Sequence, residues 1–64
     1  MIEIARIFTL GLTNNRDIVR RLMGTSDSFK DLKFSDAIAT YRYYETHGLV
    51  KKTDEYIVIY HDCN

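Results

Sequence analysis

Residues 34–60, FSDAIATYRYYETHGLVKKTDEYIVIY, carry the clearest structural signals of this chain. Its first half has helical periodicity, because apolar and aromatic side chains recur every three or four residues at Ala37, Ile38, Tyr41 and Tyr44. Ser35 is a favourable N-cap residue. Gly48 can adopt the left-handed conformation that ends a helix at no steric cost. We therefore expect a helix over residues 35–47.

The second half of this stretch has the composition of a β-hairpin. A first strand over residues 49–52 is followed by the turn residues 53–55, Thr-Asp-Glu. Residues 56–60, YIVIY, are the β-branched and aromatic types that strands favour. Side chains alternate along a strand, so Ile57 and Ile59 share one face, and Tyr56, Val58 and Tyr60 share the other. One face is expected to cover the helices, and the other is left open to a second chain.

The first segment, MIEIARIFTLGL, combines two periodicities. The residues Ile4, Ile7, Phe8 and Leu12 have helical spacing, whereas Phe8, Leu10 and Leu12 alternate as in a strand. The helical pattern, with an acidic residue near its start, predicts a helix to about residue 10. Gly11 is then its expected stop.

Residues 13–23, TNNRDIVRRLM, form the clearest helix of the first half. Asn14 or Asn15 can cap it, and Asp17 lies in its first turn. Its apolar stripe consists of Ile18, Val19, Leu22 and Met23. Gly24 is expected to end it, and residues 25–33 then connect to the next helix, with Phe29 and Leu32 anchoring the connection in the core.

Size and composition describe one small domain. Sixty-four residues bury only about 60% of the surface that the unfolded chain exposes, so the core is thin. A single cysteine, Cys63, rules out an internal disulfide and is typical of a reducing compartment. The sequence shows neither a membrane-spanning apolar run nor a secretory signal pattern. We therefore expect a cytoplasmic protein.

Two segments resemble a known family. Residues 44–52, YETHGLVKK, resemble the end of the recognition helix and the start of the wing in winged helix-turn-helix domains. Residues 18–24, IVRRLMG, resemble the first helix of a helix-turn-helix. The resemblance implies one α+β, winged-helix-like domain over residues 1–64: three helices followed by a two-stranded antiparallel β-hairpin wing. The connection from Gly24 to Ser35 departs from the family, where the turn has about three or four residues.

The same resemblance implies sequence-specific binding of double-stranded DNA by a small transcriptional regulator of viral or plasmid type. The helix 35–47 would enter the major groove, and the wing 49–60 would lie beside it. Arg42 can pair with guanine or phosphate, Thr40 can reach base edges, and Tyr43 suits a phosphate hydrogen bond. The residues expected to face DNA are Arg16, Arg20, Arg21, Ser35, Ala39, Thr40, Arg42, Tyr43, Lys51 and Lys52.

The charge balance supports a rival interpretation. Nine basic and nine acidic residues give a net charge of zero, whereas DNA-binding domains usually carry a basic excess. The alternative function is a protein-interaction module, such as a phage-type inhibitor or adaptor of a host protein, that uses the same fold without binding DNA. Cations that converge on one face would favour DNA. Cations interspersed with acids would favour the protein partner.

Tyrosines suggest a further contact between copies. Tyr41 and Tyr44 are expected in the core, whereas an exposed tyrosine is frequent at protein interfaces. The expected dimer or partner interface consists of Tyr56, Val58 and Tyr60. A homodimer would suit both the thin core and the two-fold symmetry of such regulators.

No catalytic or cofactor-binding pattern stands out. His61, Asp62 and Cys63 are potential zinc ligands, but adjacent residues in an extended tail diverge, so no metal site is expected. The glycines are spaced as breaks between elements and do not form a phosphate-binding loop. We expect no enzymatic activity and no cofactor.

Overall fold

The computed structural model describes residues 1–12 and 14–62 of the chain. Within these residues the elements are β1 (Ile2–Phe8), α1 (Asn15–Thr25), α2 (Phe34–Thr46), β2 (Val50–Lys52) and β3 (Tyr56–His61). The strands form one antiparallel sheet in the order β1-β3-β2, with β3 at its centre. The expected α+β class is confirmed. The expected three helices followed by a two-stranded hairpin are wrong, because two helices accompany a three-stranded sheet.

The first segment is a strand and not a helix, because it completes the sheet along β3. Ala5 and Ile7 are buried under the helices, whereas Arg6 and Phe8 point to the opposite side. The register shifts between Glu3 and Ala5, so Ile4 is the extra residue of a β-bulge. Ile4 and Ile7 therefore both contact the core although they are three residues apart. The bulge explains why this strand has helical spacing.

The helix α1 follows the sequence prediction closely. Asn14 is its N-cap: the side-chain oxygen accepts a hydrogen bond from the Asp17 amide at 2.9 Å. The Asn14 amide group in turn donates to the Asp17 carboxylate at 3.0 Å. The buried stripe consists of Ile18, Val19 and Leu22. The helix continues through Gly24, where it was expected to end, and its last residue is Thr25.

The connection between the helices is compact. The amides of Phe29 and Lys30 both donate to the Ser26 carbonyl at 3.0 Å, which folds the segment into consecutive turns. Phe29 is completely buried in the core, as its spacing predicted, and Leu32 packs against the same cluster. The long segment that departs from the family pattern is therefore an ordered part of the core.

The helix α2 begins one residue earlier than predicted. Its N-cap is Lys33, which makes no side-chain capping hydrogen bond, so Ser35 lies inside the helix and does not cap it. Ala37 and Tyr41 are the residues that α2 buries. Gly48 has a φ of 71° and ends the helix as predicted, since few other residues adopt this conformation without strain.

The core lies between the two helices and one face of the sheet. It contains Ala5, Ile7, Ile18, Val19, Leu22, Phe29, Ala37, Tyr41, Ile57 and Ile59. The other face of the sheet, here called the outer face, carries Arg6 and Phe8 on β1 and Tyr56, Val58 and Tyr60 on β3. The helices therefore cover only one face, as the alternation in β3 predicted. None of the described helices is long and apolar enough to cross a bilayer.

Candidate interaction surfaces

Five of the residues predicted to contact DNA lie along the solvent side of α2. Ser35, Ala39, Arg42 and Tyr43 are exposed, and Thr40 is half-buried. The Tyr43 ring stacks on His47 with ring centroids 4.1 Å apart. This side of α2 therefore offers small and polar side chains with one cation, Arg42, and one acid, Asp36.

Two cations of α1 lie close to the first turn of α2. The guanidinium groups of Arg16 and Arg20 lie 5.0 and 4.8 Å from the centroid of the Phe34 ring. Arg20 is also 3.8 Å from the carboxylate of Asp17, on the same helix. Both side chains lie near the N-terminus of α2, and an acid accompanies them.

The other predicted cations point elsewhere. Arg21 donates to the Phe8 carbonyl at 3.0 Å, on the β1 side of α1. Lys52 lies 2.6 Å from the carboxylate of Glu45 and over the Tyr41 ring. Lys51 is opposite Val58, so it lies on the outer face of the sheet, away from the helices. The six cations are therefore spread over several surfaces.

The hairpin that corresponds to the wing is short and has an acidic tip. The amide of Thr53 donates to the Tyr56 carbonyl at 2.9 Å, which leaves only Asp54 and Glu55 at the turn. Two carboxylates at this position would repel phosphate. The hairpin thus differs from a cationic wing that tracks a DNA groove.

The residues of the predicted dimer interface differ in accessibility. Val58 is only 1% exposed, although it lies outside the core cluster. Its cross-strand neighbours are Arg6 and Lys51, and the stems of such side chains cover apolar surface. Tyr56 and Tyr60 are half-buried. A partner on this face would contact the two tyrosines and the cations that flank Val58.

The N-terminal segment carries exposed apolar side chains that were not predicted as a site from the sequence. Of the five large apolar side chains that remain exposed among the described residues, four belong to the first ten residues: Met1, Ile2, Phe8 and Leu10. Phe8 is 72% exposed and Leu10 is 84% exposed. Leu10 lies at the corner of a turn closed by the Leu12 amide and the Thr9 carbonyl, where Gly11 has a φ of 84°. In the sequence, the strand-like alternation of Phe8 and Leu10 was the signal that could have indicated these exposed side chains.

Among the described residues, β1 is an edge strand that pairs with β3 on one side only. The Thr9 amide donates to the Glu55 carbonyl at 2.8 Å, which makes these two residues a hydrogen-bonded pair. Such pairs alternate along an antiparallel ladder, so Ile7 and Ala5 bond to β3, and Arg6 and Phe8 direct their amides and carbonyls away from it. The Arg21 guanidinium bonds to the Phe8 carbonyl from this side. The edge therefore presents main-chain donors and acceptors beside exposed apolar side chains.

The opposite edge of the sheet is protected. The β2 strand has only three residues, Val50–Lys52, and two of them are lysines. Short edge strands with charged side chains resist pairing with another chain. Lys52 is in addition held by Glu45. The two edges thus differ, and β1 is the one that remains available.

Arg6 is held in place on the outer face. Its guanidinium makes two hydrogen bonds to the Glu3 carboxylate, at 2.9 and 3.1 Å, and lies 5.0 Å from the Tyr56 ring centroid. These hydrogen bonds lower the pKa of Glu3 and raise the pKa of Arg6. The bulge at Ile4 makes the pair possible, because it brings two residues three apart onto one face.

Other local features provide fewer groups that could bind a ligand or a metal ion. An open depression of about 390 Å³ is lined by Leu12, Asp17, Arg20, Arg21, Gly24 and Thr25, on the solvent side of α1. Among the described residues, no three His, Cys, Asp or Glu side chains are grouped as metal ligands. Cys63, considered with His61 and Asp62 as a potential ligand, lies outside those residues.

Comparisons of the chain with protein-family models, with curated proteins and with solved structures found no match.

Proposed function

We propose that this protein is an interaction module that binds a protein partner at the β1 edge. The observation that carries the proposal is the asymmetry of the sheet. The edge at β2 is short and charged, whereas the edge at β1 is seven residues long and lies beside the exposed side chains of Phe8 and Leu10. An extended segment of a partner can add to such an edge through main-chain hydrogen bonds.

The distribution of charge supports a protein partner over DNA. Arg20 lies beside Asp17, Lys52 beside Glu45, and Arg6 beside Glu3. Lys51 and Arg21 lie on surfaces away from the solvent side of α2. Cations interspersed with acids can provide specificity for a complementary protein surface. They do not form the continuous positive surface that attracts the phosphates of DNA.

Photo-crosslinking in cells that produce the protein tests this proposal. A benzophenone amino acid replaces Phe8 or Leu10 at the edge, and Arg42 or Asp54 in two control variants. We expect protein adducts at the edge positions and few at the controls. Adducts at Arg42 alone, or at none of the four positions, would contradict the proposal.

Purified adduct partners then allow a direct measurement of affinity. Arg6→Pro removes an amide that points away from β3, so the sheet keeps its internal hydrogen bonds while the edge loses a donor. We expect at least about a tenfold loss of affinity by calorimetry, and a smaller loss for Arg6→Ala, which keeps the amide. Equal affinities of these two variants would contradict strand addition.

DNA binding is the second candidate function. It is supported by Arg16 and Arg20, which lie beside the first turn of α2, and by Arg42 on its solvent side. Three phosphate contacts would give a salt slope of about −2.7 and about a 40-fold loss of affinity between roughly 50 and 200 mM salt. Fluorescence anisotropy on mixed-sequence duplex DNA measures both values.

A matched pair of variants makes the DNA test specific. Arg42→Ala is expected to weaken binding, whereas Lys51→Ala, on the outer face, is expected to leave it unchanged. Equal effects would show non-specific attraction, and no binding at low salt would exclude duplex DNA as the ligand.

Cytoplasmic location, viral origin and the lack of enzymatic activity remain predictions from the sequence.

A further inference from the structure

We infer that a second copy of this chain occupies the β1 edge, paired antiparallel about a two-fold axis beside Ile7. The inference rests on the proposed function, since it names the partner of the same edge. It places Arg6 of one copy opposite Phe8 of the other, and it joins the two sheets into one continuous six-stranded sheet.

Main-chain geometry selects this register. In β1 the main-chain N–H and C=O groups of Arg6 and Phe8 point away from β3. These two residues must therefore form the hydrogen-bonded pairs with any strand that is added at this edge. Pairing Arg6 with Phe8 of the other copy uses both residues in both copies, and yields about four main-chain hydrogen bonds. Pairing Arg6 with Arg6, or Phe8 with Phe8, of the other copy would yield only about half as many main-chain hydrogen bonds within β1. Ile7 then faces its own copy at the axis.

Side-chain chemistry favours the same register. Pairing Arg6 with Arg6 would oppose like charges directly across the strands, which is destabilising. Opposite Phe8, the guanidinium instead meets an aromatic ring that is 72% exposed in the single chain. Arg6 already lies 5.0 Å from the Tyr56 ring, so it would lie between two aromatic rings. The Phe8 carbonyl accepts from Arg21, and its second lone pair remains for the other copy.

Stacking of two outer faces is a weaker way to pair the same chains. Arg6 and Lys51 flank Val58 across the middle of that face. A two-fold axis through the middle of the face would bring these cations against Arg6 or Lys51 of the other copy, depending on the direction of the axis. The edge avoids this repulsion, because strands that join side by side keep both outer faces in solvent.

Sedimentation equilibrium from about 10 μM to about 1 mM protomer tests the dimer, because its population depends on protomer concentration. We expect self-association of the natural chain, a weaker dimer for Arg6→Ala, which loses the guanidinium but keeps the amide, and a dimer at least tenfold weaker than that of Arg6→Ala for Arg6→Pro. Circular dichroism checks that Arg6→Pro keeps the fold. A natural chain that stays monomeric throughout this range overturns the inference.

Disulfide trapping tests the register without proline. In a Cys63→Ser background, Arg6→Cys and Phe8→Cys chains are oxidised separately and as an equal mixture. Hydrogen-bonded pairs place Cα atoms about 5.5 Å apart, within disulfide range. We expect the cross-link mainly in the mixture, joining one chain of each kind. Equal or greater cross-linking of Arg6→Cys alone overturns the register.

The two proposals fail in different ways. If photo-crosslinking identifies another protein at Phe8 and Leu10 while the purified chain stays monomeric, the second copy is excluded and the interaction module stands. If the edge gives no adducts and the chain is monomeric, both are wrong.

Discussion

At the scale of single residues, Tyr41 is a core side chain whose ring stabilises the fold and whose hydroxyl destabilises it. It is completely buried, and its hydroxyl has no hydrogen-bond partner among the described residues. Burying an unpaired hydroxyl costs free energy, because the group loses its hydrogen bonds to water. The ring fills the space between α2 and the sheet, so its packing stabilises the fold while its hydroxyl opposes it.

Tyr41→Phe therefore separates the two contributions. We expect the free energy of unfolding to stay unchanged or to rise by up to about 1 kcal/mol, since the ring remains and the unpaired hydroxyl is removed. Urea unfolding followed by circular dichroism measures the change. Tyr44→Phe is the matched control, because the Tyr44 hydroxyl lies 3.3 Å from His61 Nδ1 and its removal should cost stability. A loss above about 1 kcal/mol for Tyr41→Phe would show that its hydroxyl is bonded.

Ionisation of the Tyr41 hydroxyl should lower the free energy of unfolding at alkaline pH. Burial raises the pKa of Tyr41 above its ordinary value of 10.0, and nearby Lys52 offsets this only in part. The unfolded chain therefore loses the proton first, and stability falls as pH rises above about 10. Lys52 acts in the same direction, because its hydrogen bond to Glu45 raises its pKa. Unfolding measured at pH 8 and at about 10.5 should show a smaller loss for Tyr41→Phe than for the natural chain. Equal losses would contradict this assignment.

At the scale of elements, the start of α1 depends on one side chain. Asn14 accepts the Asp17 amide and donates to the Asp17 carboxylate, so it satisfies a helix N-terminus that would otherwise need water. The helix α2 has no such cap, and its first turn depends on tertiary packing instead.

Asn14→Ala should accordingly destabilise the protein by about 1 kcal/mol, the usual cost of losing an N-cap. Chemical unfolding provides the measurement. Asn15→Ala, at the first residue of the helix, is the control and should change stability by less than about 0.5 kcal/mol. Equal losses at the two positions would mean that the cap contributes nothing specific.

The strand β1 shows where prediction from local pattern fails. Ile4 and Ile7 share the core side at the spacing of a helix because the strand has a bulge at Ile4, which no local signal indicates, whereas Phe8 lies on the outer face. The segment becomes a strand because β3 offers it a partner about fifty residues away. A contact at such separation is invisible to periodicity alone. The candidate site at the β1 edge was missed for the same reason.

At the scale of the whole molecule, the thin core leaves little reserve of stability. A chain of 64 residues is expected to have a free energy of unfolding of about 3–10 kcal/mol. Phe29, in the connection between the helices, is completely buried and is among the largest side chains in the core. The connection therefore contributes to the stability of the entire domain.

Phe29→Ala should remove about 3–5 kcal/mol, which is about a third or more of the whole free energy of unfolding. The expected result is a cooperative thermal transition that is lost or is lowered by at least about 12 °C. Leu10→Ala is the control: the side chain is 84% exposed, so its removal should change stability by less than about 0.5 kcal/mol. A cooperative transition retained by Phe29→Ala near the natural melting temperature would contradict this view of the core.

Elements with local signals could be predicted from the amino-acid sequence. The cap at Asn14, the stripe of α1, the stop at Gly48 and the alternation of β3 depend on residues within a few positions of one another. Their hydrogen bonds and buried faces follow from short-range chemistry, so the pattern of the chain was sufficient to predict them.

The strand β1, its place at the edge of the sheet and the distribution of cations depend on contacts between segments that are far apart in the sequence. Arg21, Lys51 and Lys52 were grouped with Arg42 from their place in the sequence, but packing and strand pairing send them to different surfaces. The direction of a side chain depends on which elements meet, and long-range burial selects that arrangement. The position of the candidate interaction site is therefore a property of the folded molecule.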